Sequence, residues 1–230
     1  MIAVLLIAIL ILVYVPSMTV RWVLKANSKP ISGMPGTGGE LAKYLLESRG
    51  LGDVKVEATE EGRDHYSPDE RVVRLSPSNF EGRSITAVAV AAHEVGHAVQ
   101  HAEGHPMMVL RQWLYPRVQV AERVAITVLG VAPVIGALVR SPTLTMVFLL
   151  AAIVLFLSRV AMHVVTLPVE WDASFGKAMP VIIRGQFIAP DEIPAARRVL
   201  RAAALTYVSS ALADLLSFWR WFALLRGRGL

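Results

Sequence analysis

Cysteine is absent from the 230 residues. That excludes disulfides and thiolate metal ligands, so any bound metal must be held by His, Asp or Glu. Charged residues make up only 18% of the chain and aromatic residues 7%, while 54% are hydrophobic. A water-soluble domain of this length rarely carries so little charge with so much apolar surface, which points to an integral membrane protein. The formal charge is +5. Its basic residues form no stripe of the kind that tracks a nucleic acid; they flank apolar segments, as suits the anionic face of a bilayer. Nucleic acid is therefore not an expected partner, and a lipid bilayer is. No internal repeat and no low-complexity tract is present.

The apolar segments set the expected organisation. Ile2 to Val15 is unbroken, and Met18 to Leu24 extends it around Arg21. No basic residue precedes it and no small-residue cleavage site follows, so 1–24 reads as an uncleaved signal anchor. Val124 to Val139 and Thr143 to Ser158 are free of charge, with Arg140-Ser141-Pro142 as a tight turn between them. This predicts a transmembrane hairpin over 123–165. A last apolar segment, 205–230, contains Asp214 and Arg220 and either spans or lies in the interface. Between these lie a region at 25–122 and a helical region at 166–204. The fold class expected is a mainly α membrane protein with a small β element and three to four transmembrane helices.

Within 25–122, Thr37 with Glu40 three residues on forms a capping-box pattern opening a helix to Arg49. Val54, Val56 and Ala58 alternate with charged residues, as in a strand. Gly62 to Asp69 reads as a polar loop and Arg71 to Leu75 as a second strand, offering an edge to an extended peptide. Ser84 to about His101 reads as one helix, kept slim by Ala87, Ala89, Ala91 and Ala92.

That helix ends in His93-Glu94-Val95-Gly96-His97, an HExxH pattern. Histidines four apart share a helical face, and both imidazoles can reach one ion. The intervening glutamate lies beside the open coordination position, where it can accept a proton from water as general base. A zinc ion there acidifies water and polarises a scissile carbonyl. Catalytic zinc takes a third protein ligand. Gln100 and Glu103 stand where the metzincin pattern needs Gly and His, so that version is excluded. His101 is about 9 Å along the helix axis from the midpoint of the pair, out of reach. His105 lies off the helix, between Gly104 and Pro106. Glu170, following a span and opening a helical segment, and Glu122 remain as carboxylate candidates. Arg159 and His163, one turn apart, and His65 and Tyr66 are candidates for binding substrate or an oxyanion.

Topology and charge orient the site. Two expected spans separate His97 from Glu170, so both face one compartment. Arg21, Lys25, Lys29, Arg111, Arg117 and Arg123 lie on the Glu94 side, which predicts a cytoplasmic active site, most simply at the plasma membrane.

Asp64-His65-Tyr66-Ser67-Pro68, Arg74-Leu75-Ser76, the helix from Ser84 through His93-Glu94-Val95-Gly96-His97 to Gln100, Leu167-Pro168-Val169-Glu170-Trp171-Asp172-Ala173-Ser174 and Val199 to Val208 together resemble the YugP-like neutral zinc metallopeptidases. The resemblance implies a membrane zinc peptidase acting on a protein or peptide. The layout is also similar to that of the HtpX and CAAX prenyl protease group, in which a glutamate downstream of the spans is the third zinc ligand. That implies the ligand set His93, His97 and Glu170. In that group an aspartate four residues after the glutamate supports a zinc-binding histidine. Ser174 occupies that position here, leaving Ser174 and Asp172 as candidates for the supporting role. The expected activity is that of a zinc metalloendopeptidase acting on membrane-associated or misfolded proteins. A zinc-binding scaffold or chaperone without proteolysis is the alternative, and the intact Glu94 argues against it. An ion or small-molecule transporter with a metal site is disfavoured by the few spans and their near lack of charge. The oligomeric state is not encoded in any pattern found.

Overall fold

A computed structural model describes residues 18–139, 141–205 and 211. The expected anchor at 1–24 and the C-terminal apolar segment at 205–230 therefore fall largely outside the described residues. Among the described residues the protein is mainly helical, with one three-stranded sheet.

A helical stretch at 18–26 (α1) leads to α2, Gly38–Ser48. The capping box forms as its sequence predicts: Thr37 Oγ1 accepts from the Glu40 backbone, and the Glu40 carboxylate accepts from the Thr37 N–H at 2.8 Å. Three strands follow, β1 (Lys55–Ala58), β2 (His65–Ser67) and β3 (Val72–Leu75), in the order β1-β3-β2. β1 runs parallel to β3, and β2 antiparallel to it with Tyr66 opposite Val73.

Two expectations change here. The segment read as a polar loop contains a strand, and β3, read as an edge, is the middle strand; the free edge near the metal helix is β2. Asp64 makes β2 possible by accepting from the Ser76 N–H at 2.7 Å, Ser76 Oγ at 2.9 Å and Asn79 Nδ2 at 3.0 Å. That carboxylate ties the start of β2 to the end of β3 and to the short helix α3, Pro77–Phe80.

Helix α4, Ile85–Ala102, is the spine. Ser84 caps it, accepting from the Ala87 N–H, and every residue from Thr86 to Gln100 except Val90 is buried. Helix α2 and the sheet pack on it, joining Leu45, Leu46, Val73, Leu75, Val88 and Val95 in one core with Val169, Ile182, Val199 and Leu200 from the C-terminal half.

The chain turns at Gly104 into α5, Pro106–Leu138, which starts well before the apolar run at Val124. Helix α6, Pro142–Trp171, packs back along α5. It continues without a break through a π-helical stretch, Asp172–Ala178, into α7, Met179–Gly185. This 44-residue rod contains an 18-residue window of mean hydropathy 2.4, none of it buried. It is the one helix among the described residues long and apolar enough to cross a membrane. Pro168 lies inside it. A turn at Pro190–Glu192 leads to a helical stretch at 193–205 (α8), which presents Ala196, Val199 and Leu200 to the core.

Candidate metal centre

The two histidines leave α4 on one face, with ring centroids 4.7 Å apart. Glu170 arrives at the end of α6. Its Oε2 lies 3.2 Å from His93 Nε2 and 3.4 Å from His97 Nε2. All three groups are buried, with one ligand atom from each inside a 4.8 Å set. They are the one such cluster among the described residues, and Glu122, His101 and His105 do not belong to it.

Close approach of α4 and the rod is what brings these groups together. A Cβ on Gly96 would lie 2.8 Å from the Ala173 carbonyl oxygen, inside contact distance. The second variable position of the HExxH pattern must therefore lack a side chain. A π-helical stretch at this junction is a common companion of functional sites, because it re-aims side chains without ending the helix.

Hydrogen bonds behind the rings set which nitrogen faces forward. Ser174 Oγ lies 3.1 Å from His93 Nδ1 and donates its proton to the Leu200 carbonyl at 3.4 Å. The hydroxyl is therefore the acceptor for His93 Nδ1–H. His97 Nδ1 lies 2.9 Å from Gln100 Oε1, a carbonyl oxygen that can only accept. Both imidazoles thus carry their proton on Nδ1 and aim the Nε2 lone pair into the cluster, as metal-binding histidines do. Ser174 and Asp172 both have supporting contacts, on different histidines: Ser174 behind His93, and Asp172 behind His97 by way of Gln100.

The electrostatics fit a divalent cation. Glu170 is 3% exposed and Glu94 is 7% exposed, and two buried carboxylates cost several kcal/mol unless balanced. Burial raises the Glu170 carboxyl, but hydrogen bonds and charge from His93 and His97 in their protonated form outweigh it and hold the group well below the usual carboxylate range; a cation that displaces those Nε2 protons takes over their role. Glu94 is pushed up to about 7 by burial, with the Glu170 and Asp64 carboxylates adding and His93 and the Tyr66 backbone opposing. A set of two histidines and one glutamate, with lone pairs convergent, suits zinc.

The other sequence candidates have their own partners. His65 is exposed on β2, with Nδ1 2.8 Å from the Arg63 carbonyl. The Tyr66 hydroxyl shares a 2.8 Å hydrogen bond with His101 Nδ1, and burial raises its pKa. Arg159 pairs with Glu122 on α5 at 3.2 Å. It stands eleven residues before Glu170 on one helix, about 16 Å along the axis, and His163 about 10 Å.

Two participants escaped the sequence reading. Arg111 on α5 donates to Glu170 Oε1 at 3.1 Å, which leaves Oε2 to the histidines. Gln100 is wholly buried behind His97. Gln100 had a signal, since it continues the histidine face one turn beyond His97. Arg111 had none, lying 59 residues from its partner.

A helix-borne pair of histidines with a distal glutamate, beside a buried acid and a small sheet, makes a candidate site for a single metal ion. The chain belongs to the family described as "Putative neutral zinc metallopeptidase", whose model matches residues 2–226. It is 43% identical over 197 residues to the "Putative membrane protease YugP" of Bacillus subtilis (strain 168), covering 84% of this chain and 82% of that one. No solved structure matches it. Zinc is the cofactor of this family, and the donors found here fit it.

Proposed function

We propose that this protein is a zinc-dependent metalloendopeptidase that cuts membrane-associated or misfolded proteins at the cytoplasmic face of the plasma membrane. The observation that carries the reading is the convergence of His93 Nε2, His97 Nε2 and Glu170 Oε2 beside the buried carboxyl of Glu94. His93, His97 and Glu170 hold the metal. Bound zinc supplies Lewis acidity toward a water and toward the scissile carbonyl.

Glu94 does the proton work. Its carboxylate accepts a proton from the attacking water and returns it to the departing amine. Ser174 and Gln100 keep the two imidazoles in the tautomer that points Nε2 inward. Arg111 turns Glu170 so that one oxygen faces the histidines. The free edge of β2 runs beside Glu94 and suits an extended peptide that adds as a fourth strand. Tyr66 and His65 on that strand, with Arg159 and His163 on α6, are the groups to test for substrate and oxyanion contacts.

The chain divides into an anchor at 1–24, a catalytic region at 25–122, a membrane hairpin at 123–165, a ligand-bearing region at 166–204 and an apolar segment at 205–230. The exposed apolar arm of α6 and the membrane assignment of the Bacillus relative support membrane insertion.

Purified protein in detergent is incubated with casein, with and without a chelator, beside Glu94→Gln. Cleavage is expected to stop with chelator and to fall by about 10²–10⁴-fold in the variant, with zinc content unchanged. Equal cleavage by Glu94→Gln removes Glu94 from the mechanism.

A further inference from the structure

Gln100 sits three residues beyond His97 and is wholly buried between α4 and the rod. Its amide makes three hydrogen bonds. Nε2 donates to the Val169 carbonyl at 2.8 Å and to Asp172 Oδ2 at 2.9 Å. Oε1 faces His97 Nδ1 at 2.9 Å. The Val169 carbonyl can only accept, so the amide orientation is fixed and Oε1 must point at the imidazole. The Asp172 carboxylate reinforces the same orientation.

We propose that Gln100, locked by Val169 and Asp172, is the positioning residue that selects the metal-binding tautomer of His97 and couples that histidine to the helix carrying Glu170. It rests on the zinc site proposed above and goes beyond it. A neutral amide does here what a carboxylate does behind many zinc histidines. It accepts from Nδ1–H without adding a third negative charge beside Glu94 and Glu170. It also spans the joint between the two elements that supply the ligands, so the register of His97 against Glu170 is set by a side chain that touches no metal.

The two acceptors facing Nε2 make the idea testable by exchanging donor and acceptor. In Gln100→Glu the new carboxylate still accepts from His97, but it opposes the Val169 carbonyl and the Asp172 carboxylate. In Gln100→Glu/Asp172→Asn the asparagine amide donates to that new carboxylate, and one of the two lost bonds is regained. Asp172→Asn alone can turn its amide oxygen to Gln100 and keep the contact.

Full-length protein in detergent is titrated with zinc against a competing chelator, and the cobalt-substituted form is followed by its visible spectrum. Gln100→Glu is expected to bind zinc about 10–100-fold more weakly and to shift the cobalt bands. The double variant, read beside Asp172→Asn, recovers at least part of the loss. Unchanged zinc affinity in Gln100→Glu overturns the proposal, as does a double variant no better than the single. A parent protein that binds no zinc instead overturns the metal site itself. Gln100→Met, which keeps the volume without the acceptor, serves if Gln100→Glu does not fold: weakened zinc binding in a folded Gln100→Met supports the role, and parental affinity refutes it.

Discussion

Helices α4 and α6 invert each other. Helix α4 buries two histidines, a glutamate and a glutamine. Helix α6 keeps its apolar run out of the core and buries only Val165, Thr166, Val169 and Glu170 at its end. Leu150, in the middle of its apolar run, is 61% exposed. In water the second arrangement is unfavourable, because exposed apolar area costs about 25 cal/mol per Å². A buried polar cluster demands hydrogen bonds and balancing charge; an exposed apolar helix demands a nonaqueous neighbour. The two arrangements meet on the rod near Val165, where its burial begins.

Removing the anion that the cluster needs is the most severe way to break this contrast. Glu170→Ala is expected to abolish stoichiometric zinc in the purified protein, read by elemental analysis, while Glu122→Ala and His163→Ala retain it. Zinc kept by Glu170→Ala would place the third ligand elsewhere. Next in size, Leu150→Arg puts a charge in the exposed arm and should cost about 3 kcal/mol of insertion. Membrane fractionation should show reduced integration, whereas Tyr44→Arg on the exposed side of α2 should leave it intact. If both variants fractionate alike, the arm does not meet lipid.

A smaller effect is expected where the two helices touch. Gly96→Ala drives a methyl group toward the Ala173 carbonyl and should destabilise by about 1–3 kcal/mol. Thermal unfolding should show a lower midpoint and zinc binding should weaken together. A lower midpoint with unaltered zinc affinity would separate packing from ligand geometry. Smallest of all, Thr37→Ala removes a cap far from the metal and should cost about 1 kcal/mol with zinc affinity untouched.

Local signals in the chain carried a good part of this. The HExxH spacing, the Thr37 capping box and the strand at β1 each depend on residues within a few positions of one another. Long-range pairing was not legible in the same way. His65 to Ser67 show no alternation; they become a strand because β3 pairs with them and Asp64 pins their start. The same pairing moved the sheet edge from β3 to β2. Arg111 meets Glu170 only after α5 and α6 fold back on each other, and an arginine near an apolar segment otherwise signals only orientation. Glu170 itself is nominated by the resemblance and by its place after a span; spacing alone leaves Glu122 beside it.

Pro168 gives the rod a mechanical property. It offers no N–H to the Val164 carbonyl, so one rung of the backbone ladder is missing two residues before Glu170. A bend in the rod at this joint would swing its apolar arm while Arg111 and the two histidines keep Glu170 in place.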